Sequence, residues 1–150
     1  HDCSIDMLTV HLSGGEDMLK KAMLAAQTIK TKVIGVSILT SLKESDTLAL
    51  FNNHINDQIL NLFKLAKKIN LDGIVCSPLE VEMANKILDK HSIKITPGIR
   101  DISVEDDQVR TMSAYDAVKM GATFIVIGRP ITQAEDILIA LQSFSDSINE

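Results

Sequence analysis

The sequence predicts an α/β fold built on a parallel sheet, and three observations carry that expectation. Five short runs of β-type residues occur within 150 residues, and each is followed by a segment whose apolar residues recur at helical spacing. Most of those helical segments also begin at a capping signal. Strands alternating with helices demand parallel pairing and right-handed crossovers. A doubly wound open sheet meets that demand, and so does part of a (β/α)8 barrel, whose complete form typically takes about 250 residues.

The strands are expected at Met7–His11, Lys32–Leu39, Gly73–Ser77, Ile93–Thr96 and Phe124–Gly128. The last is apolar throughout, and Phe124 to Ile127 read as buried on both faces, as in a helix-covered parallel sheet. After the first strand, Met18, Leu19, Ala22, Met23, Ala26 and Ile29 form one apolar stripe. Ile59, Leu62, Phe63, Ala66 and Ile69 form the next, with Lys64, Lys67 and Lys68 turned outward. Val81, Ala84, Ile87 and Leu88 follow the third strand. Ala114, Ala117 and Val118 follow the fourth, and Ile137, Ala140, Leu141 and Phe144 the fifth. Capping boxes are expected at Ser13 with Glu16, at Ser77 with Glu80 behind Pro78, and at Thr132 with Glu135. Ser113 with Asp116 is a weaker version, and Asn70 and Gly121 stand where left-handed caps belong.

Composition narrows the function classes. A net charge of −5 argues against a nucleic-acid surface while leaving room for a local cationic pocket. Five aromatic residues without tryptophan (four Phe, one Tyr) argue against a base-stacking or carbohydrate platform. No stretch resembles a membrane span or a signal peptide. Cys3 and Cys76 belong to no C-x-x-C pair and read as reduced thiols of a cytoplasmic protein. His54 and His91 have no second ligand at metal spacing and receive no role.

Chemistry in either architecture belongs at the C-terminal ends of the strands. There the sequence places His11 before two glycines, Thr40 and Ser41 in "ILTSL", Arg100 in "ITPGIRD", and Gly128 with Arg129 in "VIGRPIT". Arg129 offers a planar fork to an oxyanion, and Gly128 lets backbone approach a ligand; taken alone, G-R-P fits a surface salt bridge better than a ligand site. His11 is as readily a backbone partner as a ligand group. Gln108 stands in a polar loop able to close over a ligand, while Asp106 and Asp107 read as its solvated face. The residues alone support a phosphate-binding α/β domain.

Taken in order, "VHLSGG", "ILTS", "LDGIVCSPLE", "ITPGIR", "DDQVRTMS" and "VIGRPIT" resemble the orotidine 5′-phosphate decarboxylase family over residues 7 to 144. The resemblance implies a (β/α)8 TIM barrel, with residues 1–150 as βα units four to eight, the C-terminal part of a single decarboxylase domain. It implies a homodimer that converts orotidine 5′-monophosphate to uridine 5′-monophosphate without metal or organic cofactor. Carried over residue by residue, Thr40 meets the pyrimidine amide and Arg100 is the arginine of the T-P-G-I-R turn. Gln108 reaches between base and phosphate, and Gly128 with Arg129 grips the phosphate.

The family's reaction centre is a lysine–aspartate array in a motif of the form D-x-K-x-x-D-I-P, which these 150 residues do not contain. His1-Asp2 matches the tail of such a motif, and Asp2 would then act in the partner subunit's site. The family has a helix between that aspartate and the V-H strand, whereas a few residues separate them here. Two other readings stand beside this one. One is a related Mg²⁺-dependent sugar-phosphate decarboxylase or synthase, and the other is a catalytically incomplete nucleotide-binding fragment.

Overall fold

The computed structural model describes residues 4–100 and 111–149. Five parallel strands lie in sequence order: β1 (Met7–His11), β2 (Lys32–Val36), β3 (Gly73–Val75), β4 (Ile93–Thr96) and β5 (Phe124–Ile125). The helices are α1 (Gly15–Gln27), α2 (Glu44–Phe51), α3 (Ile55–Lys68), α4 (Val81–Ile87), α5 (Ala114–Lys119), α6 (Arg129–Thr132) and α7 (Ile137–Asn149). The expected α/β alternation is therefore present, and neighbouring order without any strand exchange is what a barrel wall requires.

Strand register explains which residues are buried. Val10, Gly35, Ile74 and Lys94 lie abreast on the face that meets the helices. The main core forms there from Leu12, Leu19, Val33, Leu62, Phe63, Ala66, Ile74 and Val81. A smaller cluster of Ile99, Ala114, Ala117 and Phe144 sits under α5 and α7. Ile95 and Phe124 share the opposite face, and alternation puts Val126 there too.

Phe124 and Val126 are 47% and 48% exposed, contrary to the double-sided burial expected of this strand. β5 is an edge strand, and among the described residues nothing covers its face away from the helices. The same edge effect exposes Leu8 on β1, and Ile137 and Leu141 on α7, although the last two were expected inside. Met18, Ile29 and Val118 are also exposed rather than buried; Ile29 lies past the end of α1.

The caps divide into two groups. Ser77 Oγ accepts from Leu79 N at 3.3 Å while Glu80 accepts from Ser77 N at 3.1 Å, so that box forms as expected. Ser113 Oγ accepts from Asp116 N at 3.1 Å. Asn70 and Gly121 adopt φ of 55° and 104°, the left-handed side that caps require. Ser13, however, lies inside a 3-10 turn over Leu12–Gly14, and α1 starts from Gly14 without a side-chain cap. Thr132 ends α6, and Asp136 Oδ1 instead receives Leu138 N and Ile139 N at 2.9 and 3.0 Å. A serine or aspartate competes for the same orphan N–H groups, and chain direction decides which is placed to reach them. Replacing the fully buried Ser77 by alanine should cost about 1 kcal/mol, read as a lowered urea midpoint with an unchanged slope.

Candidate active site

The C-terminal ends of β2, β4 and β5 converge on a cleft of about 260 Å³ lined by Thr40, Pro97, Gly98, Arg100, Val126, Gly128 and Arg129. Each residue arrives by a local rule. β2 is followed by a turn in which Leu42 N donates to Leu39 O at 3.0 Å, and this turn presents Thr40. After β4, Pro97 stops the ladder and Gly98 adopts φ of 82°, a conformation that disfavours any side chain with a Cβ. The chain then re-enters hydrogen bonding through Arg100 N to Met112 O at 3.1 Å. That bond fixes the backbone of Arg100, which is 7% exposed, and one of its Nη atoms donates to Ile99 O at 2.8 Å. Beyond β5, Val126 N still donates to Thr96 O at 2.9 Å, and Gly128 then precedes α6, whose first residue is Arg129.

Gly128 is informative because packing does not require it. A Cβ built there meets no atom within 4 Å, so the space beside it is open to the cleft. Among the described residues, two arginines and no acidic residue line the cleft, in a chain whose net charge is −5. The arrangement suits an anionic ligand with a further polar edge. Guanidinium forks bind phosphate oxygens in pairs, and the Thr40 hydroxyl can donate or accept towards an amide.

Four sequence-predicted site residues, Thr40, Arg100, Gly128 and Arg129, are thus brought to one place. Asp2 and Gln108 lie outside the described residues. His11 is exposed at the end of β1 and does not line the cleft, and Ser77 is committed to its cap. Val126, Pro97 and Gly98 complete the lining; the first was expected in the sheet interior, where the alternation of an edge strand does not leave it.

Among the described residues, the groups with clearly shifted acidity lie away from this cleft. Glu16 is drawn down to about 2 by hydrogen bonds from Lys20 and Lys68, at 2.7 and 2.6 Å. Glu44 and His54, across the start of α2 and α3, pair with each other and shift in opposite directions. His54 therefore has a partner, which sequence spacing gave no means of finding because it depends on how α2 and α3 meet.

Comparison with known proteins identifies the family and the fold. The model of the Orotidine 5′-phosphate decarboxylase / HUMPS family matches residues 2–144. Orotidine 5′-phosphate decarboxylase of Wolbachia pipientis subsp. Culex pipiens is 45% identical over 133 residues, covering 88% of this chain and 59% of that protein. That of Ehrlichia chaffeensis is 40% identical over 149 residues, covering 98% and 64%. The chain thus spans less than two thirds of either relative. Among solved structures, orotidine 5′-phosphate decarboxylase from Lactobacillus acidophilus superposes with a TM-score of 0.78 at 32% identity, over 98% of this chain and 65% of that one. The enzyme from Pyrococcus horikoshii OT3 shares the fold with a TM-score of 0.70 at 23% identity, over 97% and 62%. These neighbours are TIM barrels, and the five-stranded sheet corresponds to part of their wall.

Proposed function

The chain belongs to the orotidine 5′-phosphate decarboxylase / HUMPS family, and on that premise we propose that it is the C-terminal part, βα units four to eight, of a single barrel domain that decarboxylates orotidine 5′-monophosphate to uridine 5′-monophosphate in pyrimidine biosynthesis. The observation that carries this reading is the cleft itself: Thr40, Arg100, Gly128 and Arg129 stand together at strand ends, cationic and open. Arg129 holds the phosphate, Gly128 leaves room for it, and Thr40 meets the pyrimidine amide. Gln108 is assigned the reach between base and phosphate, and Arg100 is the arginine of the T-P-G-I-R turn that adds a second cation to the cleft. The exposed apolar faces of β1, β5 and α7 are where the remaining barrel units pack.

In the reaction the bond from the ring carbon to the carboxylate breaks, its electron pair stays on the ring, and a proton replaces carbon dioxide. The groups that stress the carboxylate and deliver the proton are contributed by the earlier strands, with Asp2 acting in the partner's site of a homodimer. The part described here supplies grip. Binding energy realised at the phosphate, remote from the reacting carbon, can be spent on holding the substrate in its reactive geometry. No metal or organic cofactor is assigned, and the enzyme is placed in the cytoplasm; no helix among the described residues is long and apolar enough to cross a membrane.

The test is decarboxylation of orotidine 5′-monophosphate by the whole protein, followed by loss of the orotate absorbance and by appearance of the uridine nucleotide. Turnover that survives chelation of divalent ions supports the reading. Activity confined to sugar phosphates and dependent on Mg²⁺ would move the protein to the sugar-phosphate branch. Nucleotide binding without turnover in the whole protein would leave a binding module.

A further inference from the structure

Resting on the reading that Thr40 meets the base, we propose that Glu44 and His54 form a clamp that positions the Thr40 turn and so selects for the nucleobase rather than for the phosphate. Glu44 is the first residue of α2, four positions beyond Thr40. Both of its carboxylate oxygens are engaged at the start of α3: Oε1 pairs with His54 Nδ1, and Oε2 accepts from Ile55 N at 3.0 Å. On the near side Lys43 N donates to Asp46 Oδ2 at 2.8 Å, which fixes where α2 begins. On the far side Ser37 N donates to Val75 O at 3.1 Å, so the segment between is held at both ends.

The clamp matters because the start of α2 has few apolar anchors of its own. Thr47 is its one buried residue and Phe51, at its far end, is half-buried against the core, while Leu48 and Leu50 are 41% and 67% exposed. α3, by contrast, is seated in the core through Ile59, Leu62, Phe63 and Ala66. A weakly packed helix tied to a firmly packed one takes its position from the tie. The turn carrying Thr40 enters α2 directly, with Leu42 half-buried against the core, so the tie reaches the cleft within one turn of chain.

The clamp also has a pH window. The hydrogen bond with Glu44 holds His54 above its ordinary 6.5, with the Asp57 charge adding to it. The same bond, then the Ile55 N–H, holds Glu44 below its ordinary 4.5. Glu44 from α2 and Asp57 from α3 are the charges acting on His54. His54 therefore supports the clamp fully below 6.5, and that support is lost as pH rises through its raised value. Glu44 supports it above 4.5, and that support is lost as pH falls through its lowered value.

Glu44→Ala and His54→Gln in the whole protein test this. Amide exchange over residues 38–43 should quicken in both. Affinity for uridine 5′-monophosphate should fall about three- to fivefold, the range open to an exposed charged pair, while affinity for ribose 5-phosphate holds. In the unsubstituted protein the ratio of the two affinities should decline as pH rises through the raised value of His54, and His54→Gln should flatten that profile. Comparing the two ligands cancels the titration of the phosphate itself. Unchanged exchange in Glu44→Ala overturns the clamp, and so does an unchanged affinity ratio in a protein that binds both ligands. A parent protein that takes ribose 5-phosphate but not the nucleotide would instead overturn the role given to Thr40, with the exchange measurement still judging the clamp.

Discussion

Arg129→Ala is expected to weaken uridine 5′-monophosphate binding by roughly 10²-fold, or about 3 kcal/mol, within the range for removing one partner of a hydrogen-bonded charge pair. The argument starts from position. Arg129 opens α6 immediately after Gly128 and lines the cleft together with Arg100, and among the described residues that lining has no acidic residue. A dianion placed there faces two cations, and the fork of Arg129 offers two parallel N–H donors. Arg129→Lys keeps the charge but not the fork, so it should recover only part of the loss. Titration calorimetry with uridine as the control ligand isolates the phosphate, because uridine affinity should not change. Arg129 follows an edge strand and is half-buried, so the unfolding midpoint should stay close to that of the parent. Equal losses for nucleotide and nucleoside would show that the cleft had collapsed and would remove Arg129 from the phosphate grip. In the whole protein turnover should fall with affinity, since binding energy at the phosphate is then missing from the transition state.

Legibility in the sequence followed how local the governing physics is. β1 and β4 have the boundaries expected, because β-branched runs ended by a histidine and by Thr96-Pro97 depend on neighbours in the chain. The α3 stripe is buried at every expected position, from Ile59 to Ile69. α2 was not anticipated: its apolar residues Leu48 and Leu50 face solvent and give no stripe to read. β5 was read as longer and more buried than it is, since burial of both faces requires neighbours that an edge strand does not have. Strand-end arithmetic brings Thr40, Arg100, Gly128 and Arg129 to the one cleft they line, because a parallel sheet aligns its C-terminal ends whatever closes it. The Glu44–His54 contact was beyond that arithmetic. It joins two helices whose relative placement is settled by tertiary packing, and neither residue type at that spacing carries a signal.

Gly73→Ala should be the most damaging of the small substitutions to stability, although it adds one methyl group to the middle of a strand. Gly73 lies between Ile34 of β2 and Ile93 of β4 in the ladder. A Cβ there would stand 2.3 Å from the carbonyl oxygen of Ile93 and 2.6 Å from its Cβ. A flexible side chain could swing away, but the nearest obstacle is backbone of the adjacent strand, so β3 and β4 must part or shift. Overpacking a close-packed site costs typically 1–3 kcal/mol, and a backbone obstacle puts this case at about 3 kcal/mol. For a chain of this size that lowers the unfolding midpoint by about 6–12 °C, at roughly 2–4 °C per kcal/mol. The damage should also reach the cleft, because β4 leads directly into Pro97, Gly98 and Arg100. Gly128→Ala is the informative contrast, since its Cβ meets no atom within 4 Å. It should leave the midpoint alone and weaken only the phosphate-bearing ligand. Calorimetric unfolding of both variants separates the two uses of glycine: a stable Gly73→Ala would mean that the sheet can yield at β3–β4, and a destabilised Gly128→Ala would mean that its open space serves the fold rather than a ligand.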